Sequence, residues 1–223
     1  MKNLFLLLAL VCSGPLFSQE KKETPSGNNH KEGFSLAVIG GLNISKMPFN
    51  PPQTSSELVI PSTKSVYAFF GGLSARKPIS HRFAALLEAT YSVRGFGYFS
   101  SNEISRFRFD YLDFVPQVEY NVFNNLYLSL GGYVGFRIKE HSKIGDSEWV
   151  TFDPKLVEFA TDTDFGIVPG LTLRFEKVSV LVRYQYGLFA ASNLDISNEL
   201  GEPIGTIERQ NRTFQIGLGF RIL

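Results

Sequence analysis

The sequence predicts an all-β chain, an eight-stranded antiparallel up-and-down transmembrane β-barrel with short periplasmic turns and long extracellular loops. Three observations carry that expectation. Alternating segments of about ten to thirteen residues recur from Gly33 to the end of the chain. The connections between them alternate short and long, as an outer-membrane barrel requires and a soluble sandwich does not. The charged residues of most segments share the parity of the small and polar residues rather than that of the large apolar ones.

Composition narrows the classes. With 223 residues, 43% of them hydrophobic and 14% aromatic, there is material for one substantial domain. A mean hydropathy of zero excludes a bundle of membrane helices. A formal charge of +1 offers no basic field for nucleic acid. Cys12 is the single cysteine. It falls in the N-terminal stretch expected to be removed as a signal peptide, so the mature chain is expected to carry no disulfide, no thiolate zinc site and no cysteine nucleophile.

Residues 1–19 are expected to be a signal peptide. Lys2 gives a positive start, Leu4 to Val11 an apolar run too short to span a bilayer, and Ser18 a small residue before the cut. Residues 20–32, EKKETPSGNNHKE, have almost nothing to bury and are expected to form a disordered periplasmic leader. The barrel domain is then residues 33–223.

The first segment, Gly33–Ser45, sets Phe34, Leu36, Val38, Leu42 and Ile44 against Ser35, Ala37, Gly41, Asn43 and Ser45. Ser65–Ala75 is the second. Arg82–Arg94 is the third, with Glu88 and Arg94 on the polar face. Tyr111–Tyr120 is the fourth, Leu126–Ile138 the fifth and Asp164–Phe175 the sixth. Val178–Phe189 and Arg212–Ile222 complete the set. The connections at Arg76–His81, Asn121–Asn125 and Glu176–Lys177 are short; those at Lys46–Lys64, Lys139–Thr163 and Ala190–Asn211 are long, and Gly95–Phe107 is intermediate.

A lipid-facing Arg or Lys near the bilayer midplane costs about 2–4 kcal/mol, so charges should point inward. The parity puts Glu88, Arg94, Asp113, Glu119, Arg137, Asp164, Arg174, Arg183 and Arg221 in the lumen. Strand direction then sorts them by height. Arg94, Arg137, Asp113 and Asp164 fall in the outer half, Glu119, Arg174 and Arg221 in the periplasmic half, and Glu88 with Arg183 between. Arg106, Arg108 and Asp110 are out of phase with Asp113 and Glu119, which predicts a bulge or an end projecting beyond the bilayer. Pro116 and Pro169 lack an N–H and should each mark a local defect in the ladder.

Several of these segments resemble strands of the PorT-type outer-membrane β-barrel family of Bacteroidetes. YLDFVPQVEY (Tyr111–Tyr120) is similar to that family's "YLEIPLLLKY"-like strand, and LLEATYSVRG (Leu86–Gly95) to its "ELxYSxKG" strand. LGGYVGF (Leu130–Phe136), VRYQYGL (Val182–Leu188) and the ending NRTFQIGLGFRIL match further strands in the same order. Asp113 stands where the family usually has Glu, and Leu223 where many such barrels end in an aromatic residue. The resemblance implies an eight-stranded barrel in the outer membrane, with barrel-insertion machinery and outer-membrane lipid as partners. It also implies a link to protein secretion, through envelope or secretion proteins met by the loops.

The expected lumen is nearly balanced in charge. A self-paired plug fits this better than a conduit, which would be lined by one sign of charge. The expected function is therefore a non-enzymatic envelope anchor or accessory component, with a small-solute pore as the alternative and a lipid-modifying enzyme behind it. Such enzymes need a His and a Ser near the outer rim, and only His141, beside Ser142 in a loop expected to be solvated, lies on that side. No cofactor and no metal site is expected: no two histidines have ligand spacing, and the acids of the third long loop lack calcium-loop spacing. Trp149, Phe152 and Phe159 in that loop form a candidate docking surface.

Overall fold

The computed structural model describes residues 33–50, 63–100, 103–152, 161–197 and 203–223. The expected signal peptide and leader, residues 1–32, lie outside the described residues. Eight long strands account for most of the rest. They are β1 (Ser35–Lys46), β2 (Val66–Pro78), β3 (Phe83–Ser100), β4 (Glu103–Phe123), β5 (Leu126–Ile144), β6 (Thr163–Arg174), β7 (Val178–Ser197) and β8 (Pro203–Arg221). Short pieces at Phe49–Asn50, Thr63–Lys64 and Val150–Phe152 add to the edges of β8, β3 and β5.

Each long strand pairs antiparallel with the next, and β8 pairs back onto β1. The closing ladder runs from Ala37↔Arg221 to Lys46↔Arg212. Closure leaves no free edge, the condition for a sheet in hydrocarbon, where an unpaired N–H or C=O has no water to bond. Leu42, Leu73, Leu130, Leu171, Ile216 and Leu218 are among the large apolar side chains exposed on the outer wall. In lipid that exposure is burial. Asn43, Glu88, Arg94, Asp113, Glu119 and Gln215 are buried on the inner side.

Tight turns gather at one end. Asn124 takes a positive φ of 44° between β4 and β5, a conformation asparagine tolerates well. Phe175 N–H donates to Val178 O (2.8 Å) between β6 and β7, and Ile79 N–H to Phe83 O (2.8 Å) between β2 and β3. In outer-membrane barrels this end faces the periplasm.

At the other end the long connections are more ordered than alternation suggests. The Gly95–Phe107 connection is strand on both sides of residues 101–102. β5 continues through the expected loop to Ile144, turns at Gly145 and returns at Val150–Phe152, while β7 and β8 extend to Ser197 and back from Pro203. Above the bilayer neither the inner nor the outer face has to match hydrocarbon. The period-two signal fades there while the backbone ladder goes on.

The out-of-phase segment of β4 has a structural cause on each count. β4 projects beyond the apolar band, and the β4–β5 register slips between Asp110↔Lys139 and Tyr111↔Arg137, leaving Ile138 as the extra residue. The bulge is thus in β5 rather than β4. Both prolines sit at ladder gaps. The β4–β5 pairs skip Val115 and Pro116, and the β6–β7 pairs skip Val168 and Pro169.

Candidate functional site

The lumen is filled in layers. Nearest the tight turns, Glu119 is buried and Arg174 chelates it, donating from both Nη atoms at 2.8 Å, while Arg76 Nε donates to it at 2.7 Å. Both guanidinium groups lie against the Tyr127 ring, at 4.5 Å for Arg174 and 5.4 Å for Arg76. Fork geometry suits arginine to this bidentate role. Arg221, paired with Ala37 at the end of β8, lines a cavity of about 50 Å³ at the mouth together with Arg76 and Arg174, and is exposed to solvent there.

One layer higher, Arg183 pairs with Glu88 and donates through Nε to Gln215. Gln215 Nε2 donates to Asn43 Oδ1 at 2.7 Å, and Asn43 Nδ2 donates to Ser92 Oγ and Val93 O. Asn43 thereby crosses from β1 to β3, past β2. Ser45 repeats the stitch, accepting from Gly95 N at 2.8 Å.

Arg94 holds the third layer. It pairs with Asp113 and, at 2.8 Å, with Asp164, all three side chains having no exposed surface. Its guanidinium lies between Tyr111 at 4.2 Å and Tyr133 at 5.2 Å. Tyr133 Oη and Asn211 Nδ2 donate to Asp164, and Gln185 Nε2 to Asp113. Gly135 leaves the room for this cluster: a Cβ there would stand 2.5 Å from Asp113 Oδ1 and 2.7 Å from an Arg94 nitrogen. Arg137 pairs above with Glu140 and Asp162.

Over these polar layers sits an apolar cap. Met47, Phe96, Phe109, Tyr111 and Ala191 are buried together, with Tyr98 and Phe107 packed against them. Phe96 and Phe107 stack at 5.2 Å, and Arg209 covers the Phe96 ring at 4.7 Å. Sequence reasoning missed this cap, together with Arg76 and Glu140 in the ion pairs. The signal is present in FGYF and RFRFDY, where aromatics recur at period two around the Gly95–Phe107 connection.

The outer wall above the apolar band is polar. His141, expected in a solvated loop, is on β5, with Nε2 3.1 Å from Asp110 Oδ2 and Nδ1 2.9 Å from Thr151 Oγ1. Tyr91 Oη donates to the same Asp110 oxygen at 2.6 Å. Arg108 stacks over Trp149 at 4.3 Å. Burial, together with the like charge of Arg106, lowers the Arg108 pKa from its ordinary value. Of the candidate docking residues, only Trp149 has a described side chain. That of Phe152 and the whole of Phe159 lie outside the described residues. Among the described residues no three His, Cys, Asp or Glu side chains gather as metal ligands.

The family model described as outer membrane protein beta-barrel domain matches residues 17–193. The chain belongs to this family. It is accordingly an integral outer-membrane β-barrel protein. No curated protein matches it. Solved structures similar to it include Ail, the attachment invasion locus protein of Yersinia pestis, at 13% identity and a TM-score of 0.42, covering 85% of this chain and 99% of that one. Neisserial surface protein A is 14% identical with a TM-score of 0.44, covering 85% and 99%. Outer Membrane Protein W of E. coli is 9% identical with a TM-score of 0.38, covering 86% and 100%.

Proposed function

We propose that this protein is a sealed, non-enzymatic barrel that serves the outer membrane as an anchor or accessory component. The observation that carries the reading is the filled lumen. The inward acids Glu88, Asp113, Glu119 and Asp164 are each paired with arginine, and the aromatic cap lies above them. Two cavities along the described lumen measure about 50 and 20 Å³, room for a few waters each. A conduit needs a continuous path with a selective lining. The ion pairs act as struts: in a lumen packed with side chains an unpaired charge is costly, so each pair holds its two strands at a fixed separation. The PorT-type resemblance suggests protein secretion as the process served, through envelope proteins met at the long hairpins.

In planar bilayers the purified protein should show no stable conductance. A steady conductance that responds to Glu88→Gln would establish the small-solute pore instead. Cross-linking in intact cells, followed by mass spectrometry, tests the partner half of the proposal and should recover envelope proteins joined to the long-hairpin end.

One observation favours a second reading. An imidazole held between a carboxylate and a hydroxyl, as His141 is between Asp110 and Thr151, is an arrangement from which acyl transfer can begin. It lies on the outer wall, where lipid acyl esters are within reach. Loss of a lipid A modification in His141→Ala, with the barrel still folded, would establish the enzyme. We favour a stitch between adjacent projecting strands, since Asp110 also accepts from Tyr91 and so joins β3, β4 and β5.

A further inference from the structure

The ladders of β3, β4 and β5 place a set of bases on one outer wall. Residues directly opposite in a ladder point the same way. The last apolar row is Tyr91↔Leu112↔Phe136, whose side chains are exposed to lipid. The next rows outward are Val93↔Asp110↔Lys139, then Gly95↔Arg108↔His141, then Gly97↔Arg106↔Lys143. Lys64 joins the last row through Lys64↔Gly97, with its ammonium 5.0 Å from the exposed Phe99 ring. Rows two residues apart are separated by about 7 Å along a strand. At the tilt of such barrels that is about 5 Å of height per row.

Lys64, Arg106, Arg108, Lys139 and Lys143 thus stand about 5 to 15 Å above the apolar band, where lipid headgroups begin. None of them makes an ion pair among the described residues, in contrast to the paired arginines Arg76, Arg94, Arg137, Arg174 and Arg183 inside. The one acid on these rows, Asp110, is already engaged by Tyr91 and His141. Arg108 also donates through Nη2 to Tyr67 O at 3.2 Å. The result is a net positive strip continuous with a surface that touches acyl chains.

We propose that this wall binds the phosphate groups of an anionic lipid of the outer leaflet. A lipid fits because its acyl chains would lie on Tyr91, Leu112 and Phe136 while its phosphates reach Lys139, Arg108, Arg106 and Lys143. The chain's single tryptophan, Trp149, lies under Arg108 and gives a direct optical report. The inference goes beyond the sealed-barrel reading and does not depend on it, since a conducting barrel would carry the same wall.

The test uses the full chain folded in zwitterionic micelles and titrated with lipid A, with retained lipid counted by native mass spectrometry and Trp149 emission followed in parallel. Lipid A should be retained saturably and shift the emission. Each base facing an anionic surface contributes about a fivefold factor, so Arg106→Ala/Arg108→Ala/Lys143→Ala should weaken retention on the order of a hundredfold. Arg106→Lys/Arg108→Lys should stay within about fivefold of the parent. Lys139→Ala/Lys143→Ala, which keeps the Arg108–Trp149 stack, should move the emission titration in the same direction. An unshifted heat-modifiable gel mobility shows that each variant is folded. Equal retention by the triple variant would overturn the proposal. So would an equal response to phosphatidylcholine, or to inorganic phosphate alone, which would mark a free-anion site.

Discussion

Arg94→Ala should be the most damaging single substitution in the lumen, lowering stability by about 3–5 kcal/mol. Arg94 pairs with Asp113 and Asp164 at once, and none of the three has exposed surface. Its removal leaves two carboxylates facing each other with Gln185, Tyr133 and Asn211 as their side-chain donors. The comparison variant is Arg174→Ala. Arg174 is 20% exposed at the mouth, and its partner Glu119 keeps Arg76. That change should cost less than half as much. Urea unfolding in phospholipid vesicles, followed by heat-modifiable mobility, reads both. The triple change Arg94→Met/Asp113→Asn/Asp164→Asn should recover most of the loss, since replacing a whole buried ion cluster is far milder than breaking one. Equal costs for Arg94→Ala and Arg174→Ala would mean that the third layer is not desolvated.

Leu130→Arg should cost about 2–4 kcal/mol, because it places a guanidinium in hydrocarbon near the midplane. Leu130 is 62% exposed on the outer wall, roughly midway between the tight turn before Leu126 and Phe136, which is paired with the apolar Leu112. Its neighbours there are Val118 on β4 and Pro169 on β6. Ile222→Arg, just past β8 at the tight-turn rim, should cost only about 0–1 kcal/mol. The same vesicle unfolding measures both. A similar cost at the two positions would place Leu130 away from lipid.

These two positions show how sequence legibility varies along the chain. Where a strand crosses hydrocarbon, the outer residue must be apolar and the inner one is free to be polar, so Leu128, Leu130 and Phe136 separate from Tyr127, Ser129 and Arg137 by parity alone. Outside the bilayer that constraint lapses. Arg106, Arg108 and Asp110 are outward and Phe107 and Phe109 inward on a continuous strand, the reverse of the pattern below, so the projecting hairpins read as loops. The inward set was legible for Glu88, Arg94, Asp113 and Glu119. The identity of each partner was not, because it depends on shear between strands far apart in sequence: Glu88 meets Arg183, and Arg94 meets Asp164.

Joining the first and last strands by a designed disulfide tests the closed barrel most directly. With Cys12 replaced by serine, Leu42→Cys/Ile216→Cys places two thiols on facing residues of the β1–β8 ladder, within reach of a disulfide. In isolated outer membranes this pair should oxidise to a cyclised species of faster unheated mobility, while Leu42→Cys/Phe220→Cys, four residues out of register on the same outer face, should stay reduced. Failure of the in-register pair to cross-link, or equal cross-linking of both, would contradict a sheet closed between β1 and β8.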